Sequence, residues 1–228
     1  MTTRPALSIK LQTSPDLVEQ VYNALLGAIN DGTIKPGERI TQEEVAKRFS
    51  VSRQPVLQAL LLLKRDGFVE DAPGRGVRAV RMDADWIAAV YEVRGALDAL
   101  AARLAANHRY QLDPSLLKRG RKAAAGKDIE AIIDADMKFH WAIYVGSGNP
   151  LIELSARNHW AHVRRVMRAV VQPSSHYKKV WDTHEKIAQA IASGKAEVAQ
   201  ALAQDHGSSA SAYLVARFSE LLDHQKVA

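Results

Sequence analysis

Residue 83 divides this chain into two stretches with different hydrophobic periods. Up to Arg81, short helical patterns lead into the alternating "VRAVR"; from Asp83 onward the alternation disappears and long helical patterns take over. A single change of period, never reversed, predicts a mixed domain over residues 1–82 and an all-α domain over 83–228. The 228 residues are enough for two cores, and 47% hydrophobic with 25% charged residues describes a soluble globular protein. There is no cysteine. Disulfides, thiolate zinc sites and thiol catalysis are therefore excluded, and a reducing cytoplasm is the expected location. No stretch approaches the roughly 20 apolar residues that span a bilayer. No apolar run follows a basic start, so neither a signal peptide nor a membrane partner is expected.

The first domain opens with Ser14 as N-cap and Pro15 at the first helical position. Leu17, Val21, Leu25 and Ile29 recur every four residues and predict one buried face. After the turn "KPGER", Thr41 and Glu44 have capping-box spacing, and "QEEVAKRF" carries a short helix to Phe49. A third helix is expected from Ser52 to about Asp66, ended by Gly67. "FVE", "DAPGRG" and "VRAVR" then predict a β-hairpin. Helix, short helix, turn, helix and hairpin is the order of a winged helix-turn-helix. The charges agree. From Val45 to Arg65 there is no acid, while Lys47, Arg48, Arg53, Lys64 and Arg65 are basic, and the hairpin adds Arg75, Arg78 and Arg81. An ordinary solvated face would not explain why acids vanish from this segment and return on both sides. With a net charge of +6, the pattern points to double-stranded DNA.

The second domain reads as six helices, at about 83–107, 113–125, 128–147, 150–171, 175–193 and 195–222, with breaks that include Pro173. Short connections predict an antiparallel bundle. In "DADMKFHWAI", Asp136 and His140 lie one helical turn apart. Alone, such a pair reads as a surface contact. His184 and His206, however, stand about ten and eleven residues on either side of the Gly194-Lys195 turn. In an antiparallel hairpin they share a height, so three imidazoles and a carboxylate from three helices can form a site for Zn²⁺, Ni²⁺ or a similar divalent ion. A second constellation is Arg94, on the apolar stripe of Ile87, Val90, Tyr91, Leu97, Ala101 and Leu104. A cation there either pairs with a buried acid such as Asp98 or awaits an anion. His159 and His162 read as surface or pocket-lining residues, Trp141, Trp160 and Trp181 as packing, and Arg164, Arg165 and Arg168 as a basic helix face.

"PGERIT", "VSRQPV", "LLKRDGFVE" and "GRGV" resemble, in order and spacing, the DNA-binding domain of the GntR family of bacterial transcription regulators. "DMKFH", "WDTHEKIAQAI" and "AQDHGSSA" resemble the metal-binding segments of the FadR-type C-terminal ligand-binding domain, FCD; six helices place it with the shorter, VanR-like members. The resemblance implies a homodimeric regulator, most often a repressor, on a pseudo-palindromic operator, and no enzymatic activity. It places Ser52, Arg53, Gln54 and Gln58 on the recognition helix, with Arg53 as the guanine reader, and Arg75 and Gly76 at the wing tip. It also implies that Arg94 faces a small carboxylate effector near the metal. One departure is Leu57-Gln58, where the family usually has Arg-Glu, so an expected DNA contact is missing. Two other readings stay open: a sensor of the metal itself, or a metal-dependent hydrolase fused to the helix-turn-helix. Against the second, residues 184–188 read HEKIA, not His-Glu-x-x-His.

Overall fold

The computed structural model describes residues 17–172 and 176–227, so Ser14, Pro15 and Pro173 lie outside the described residues. The chain separates into two compact units between Val80 and Arg81.

In the first unit the elements are α1 (Leu17–Asn30), β1 (Arg39–Ile40), α2 (Gln42–Phe49), α3 (Arg53–Arg65), β2 (Val69–Asp71) and β3 (Val77–Ala79). α1 buries Val21, Leu25 and Ile29. Leu17 does not join them: it sits at the first described turn of the helix and is exposed. The Thr41–Glu44 capping box starts α2, and Ser50 ends it in the left-handed conformation with φ 54°. Val56, Ala59, Leu60 and Leu63 give α3 a buried face directed at the same core as Phe68. The wing is a three-stranded antiparallel sheet in the order β1-β3-β2, not the two-stranded hairpin the sequence suggests. Arg39 and Ile40 supply the extra strand, opposite Arg78 and Val77. Two residues carry no detectable period, which is why this strand is invisible beforehand. Gly76 must be glycine here: its φ is +97°, and a Cβ would stand 2.6 Å from the Ile40 carbonyl oxygen.

The second unit holds α4 (Ala84–Asn107), α5 (Pro114–Ala125), α6 (Ile129–Gly146), α7 (Pro150–Val170), α8 (His176–Ala192) and α9 (Ala196–Val227). Asp83, Asp113, Asp128 and Asn149 each accept a backbone N–H at the start of α4 to α7. Pro114 and Pro150 occupy the first turns that follow. The core is apolar and dense, with Ile87, Ile132, Ile133, Phe139, Val163 and Trp181 all but inaccessible. α8 and α9 turn at Gly194, with φ +72°. α4 and α9 meet at a glycine contact, since a Cβ on Gly207 would fall 3.0 Å from the Gly95 Cα. That close approach draws the helix bearing His206 against the helix bearing Arg94.

Candidate functional site

Asp136, His140, His184 and His206 are all buried, and each offers a ligand atom within 4.8 Å of the others. The His184 and His206 Nε2 atoms face each other at 3.2 Å. Asp136 Oδ1 lies 3.6 Å from His184 Nε2 and 3.8 Å from His140 Nε2. Four ligands at about 2.0–2.1 Å around a tetrahedral ion stand about 3.3 Å from one another, so these separations suit a first-row cation. The chemistry of the nitrogens agrees. His140 Nε2 is buried with no hydrogen-bond partner. A lone pair directed at other acceptors has no use in a protein interior unless something positive sits between them.

The surroundings hold the donors in place. Phe139 stacks on the His184 ring at 4.2 Å and Trp181 meets it edge-on at 4.6 Å. His140 Nδ1 lies 3.1 Å from Asp98 Oδ2, and the Tyr144 hydroxyl donates to Asp98 Oδ1 at 2.5 Å. Asp98 therefore orients the imidazole so that Nε2 faces inward, the carboxylate–histidine pairing common behind metal ligands. Trp160 Nε1 donates in turn to the Tyr144 oxygen at 3.1 Å.

Arg94 is engaged. Its guanidinium donates to Asp136 Oδ2 at 2.9 Å and to Asp98 Oδ2 at 3.3 Å, and lies over the Trp160 ring at 4.6 Å. The ion pair with Asp98, one of the two sequence alternatives, is thus present, and Asp136 adds a second carboxylate that the sequence did not suggest. Arg94 turns Asp136 so that Oδ1 is left for the histidines.

Burial opposes ionisation of Asp136, but Arg94, His140 and His206 outweigh it and hold the carboxyl below its usual range. Asp98 follows the same balance: burial is overcome by His140, Arg94 and the Tyr144 hydroxyl. Burial, with neighbouring His140 and Arg94, pushes His184 and His206 well below the ordinary imidazole value. Both are therefore neutral near pH 7, the state a metal requires. The sign of the pH effect follows. Below about pH 6.5 the unfolded chain takes up protons that the two buried rings refuse, so stability falls with acidification by up to about 1.4 kcal/mol per pH unit for each ring. Urea unfolding of metal-free protein at pH 7.5 and 5.5 is expected to give the lower midpoint at 5.5.

Arg94, Asp136 and His206 also border a cavity of about 30 Å³, lined as well by His176, Tyr177 and Tyr213. His176 and Tyr213 stack at 3.6 Å with their planes 7° apart. The Tyr177 hydroxyl is buried without a hydrogen-bond partner, and burial raises its pKa far above the phenol value. Sequence reading passed over Tyr177, although it lies seven residues before His184 and so on the same face of α8.

The remaining candidates lie apart from the four donors. His159 Nε2 meets the Val90 carbonyl at 2.6 Å. Arg164 pairs with Asp134, and Arg168 with Glu130 at 2.6 Å. Arg165 departs from the basic-face expectation: it is buried against Trp86, and burial lowers its pKa to about 10. Trp141 packs under Arg157. Glu185 is bound by Arg121 at 2.6 Å, directed away from the histidines.

In the first unit, Ser52 caps α3 with its backbone, and its side chain makes no capping bond. Ser52, Arg53, Gln54, Leu57 and Gln58 are exposed along the start of α3. Arg53, Leu57, Leu61, Lys64, Arg75 and Gly76 border one concavity of about 630 Å³ between α3 and the wing. Arg39 holds the wing tip by donating Nε to the Arg75 carbonyl at 2.9 Å. Several of the counted charges are matched on folding: Arg53 by Glu43 at 3.2 Å, Lys64 by Asp71 at 2.6 Å and Arg78 by Glu70 at 2.8 Å. The acid-free segment is therefore less positive in space than in sequence. These pairs are solvent-exposed and weak, so phosphates can compete for the cations.

A winged helix-turn-helix and an all-α bundle with a buried His₃Asp cluster define a recognisable class of two-domain protein. The chain matches the FCD domain over residues 89–209 and the gntR family of bacterial regulatory proteins over residues 17–78. It belongs to that family, as a GntR-type winged helix joined to an FCD domain. The HTH-type transcriptional regulator YdhC of Bacillus subtilis (strain 168) is 32% identical over 126 residues, 53% of this chain and 56% of YdhC. LutR, an HTH-type transcriptional regulator of the same organism, is 26% identical over 215 residues, 84% of this chain and 98% of LutR. Several curated relatives, YdhC included, are matched over only 56% to 61% of their own length. Among solved structures, E. coli McbR/YncC shares the fold with a TM-score of 0.70 at 21% identity, over 90% of this chain and 100% of that one. These matches are to regulators, not to enzymes. No described helix is long and apolar enough to cross a membrane.

Proposed function

We propose that this protein is a transcription regulator, acting as a homodimeric repressor on a pseudo-palindromic operator. In this reading its DNA affinity is set by a divalent cation and a small organic acid in the C-terminal bundle. The observation that carries the metal is the convergence of the Asp136, His140, His184 and His206 donors, with His140 Nε2 left unpartnered. Bound there, the cation would supply an open coordination position for an effector carboxylate. Arg94 would orient Asp136 and meet the acid from the cavity side, and the Tyr177 hydroxyl would donate to it. The acids nearest the histidines that a hydrolytic reading would need as a base are already engaged: Asp98 with Tyr144 and His140, and Glu185 with Arg121.

One observation favours the alternative in which the ion itself is the signal. The cavity beside Arg94 is small, about 30 Å³, whereas a lone cation needs only the space among the four donors. The two readings separate in one experiment. Operator fragments are selected from a random library, and binding is measured with metal-free protein, with metal, and with metal plus a panel of small carboxylic acids. Acid-dependent regulation predicts at least a tenfold change in Kd only when acid and metal are both present. A full response to metal alone establishes the ion sensor. No selected sequence at all would overturn the regulator reading.

A further inference from the structure

The reading face of α3 carries two large apolar side chains where a DNA-binding helix would be expected to be polar. Leu57 is 40% exposed and Leu61 is 56% exposed. Isolated exposed leucines are ordinary on a protein surface. These two are not isolated. At 100° per residue, Arg53, Leu57, Leu61 and Lys64 fall within a sector of about 80°, and all four border the concavity that Arg75 closes from the wing. The apolar row is framed by cations at both helix ends and at the wing; Arg53 and Lys64 are paired there with Glu43 and Asp71, in exposed pairs that phosphates can displace. A neutral protein surface would not complement that frame; a polyanion with apolar groups in its groove would. In double-stranded DNA the apolar group of the major groove is the thymine 5-methyl.

We propose that Leu57, supported by Leu61, reads thymine methyl groups in the operator beside the base pair contacted by Arg53. The inference rests on the DNA-binding reading above and specifies what this chain recognises. Leu57 stands one helical turn from Arg53, about 6 Å along the axis, against a base-pair step of about 3.4 Å. The thymine therefore falls within about two base pairs of the guanine read by Arg53. Arg53 supplies the polar half of the readout by its planar pair of donors to O6 and N7. Leu57 has no donor, so it discriminates by burying a methyl that cytosine and uracil lack.

Binding-site selection with the full chain is expected to return a guanine with a thymine within two base pairs of it, on either strand. In the selected duplex, replacing that thymine by deoxyuridine removes only the methyl and should weaken wild-type binding about fourfold per half-site. Leu57→Ala protein should bind thymine and deoxyuridine duplexes equally, with an unchanged melting temperature because the side chain is exposed. Leu57→Arg should shift selection at that position from thymine to guanine. The inference is overturned if deoxyuridine costs the wild type nothing, or if Leu57→Ala still prefers thymine fourfold. A selection that returns no sequence would instead remove the DNA-binding reading beneath it, and this inference with it.

Discussion

Arg94→Met is expected to lower the unfolding free energy by about 3–5 kcal/mol, the loss typical when one partner of a buried ion pair is removed. The cost comes from the carboxylates left behind. Asp98 and Asp136 are both buried and share this one guanidinium at 3.3 and 2.9 Å. Burial favours their protonated forms, and Arg94 is one of the opposing charges that keep them ionised. Thermal unfolding should show a decrease on the order of 10 °C. The double variant Arg94→Met with Asp98→Asn should recover part of the loss, since it removes one unpaired charge. If Arg94→Met melts with the wild type, the buried triad is not holding the bundle. Effector titration of the same variant asks a separate question: unchanged acid affinity would remove Arg94 from the effector site whatever happens to stability.

The second large effect concerns His184 and His206. His184→Ala with His206→Ala is expected to abolish metal retention after dialysis, measured by elemental analysis against protein concentration. Two of four donors are lost, and Asp136 and His140 on one helix cannot enclose a cation by themselves. Chelation should lower the wild-type melting temperature, because a cation that binds only the folded state stabilises it by mass action. It should leave the melting temperature of the double variant unchanged. Full metal stoichiometry in the double variant would place the metal elsewhere. The milder His140→Gln keeps a polar side chain near Asp98 and guards against mistaking a packing defect for a lost ligand.

Much of the first unit was legible because its signals are local. A capping box at Thr41, a glycine after α3 and a hydrophobic period of four each act within one turn of chain. The bundle helices were equally readable from their long helical patterns and the breaks between them, while the caps at Asp83, Asp113, Asp128 and Asn149 are seen only in the structure. His184 and His206 were also within reach, because a hairpin converts distance from a turn into height. What escaped was the β1 strand, whose pairing with β3 depends on a partner 37 residues away at Ile40 and Val77. Leu17 and Arg165 escaped for the opposite reason: periodicity assigns a face but not how far the neighbouring helix extends over it.

The sequence by itself determined the division into two domains, the winged-helix order, the helices of the bundle and the four donors of the candidate centre. All of these follow from short-range patterning or from symmetry about a turn. Only the tertiary structure decided what each buried charge faces. It placed Arg94 between Asp98 and Asp136, turned His140 through Asp98, set Tyr177 beside a small cavity with its hydroxyl buried and unpartnered, and left Leu57 and Leu61 exposed along α3. These depend on side chains meeting across helices that are far apart in the chain, where electrostatics and packing act through space and no local pattern records them.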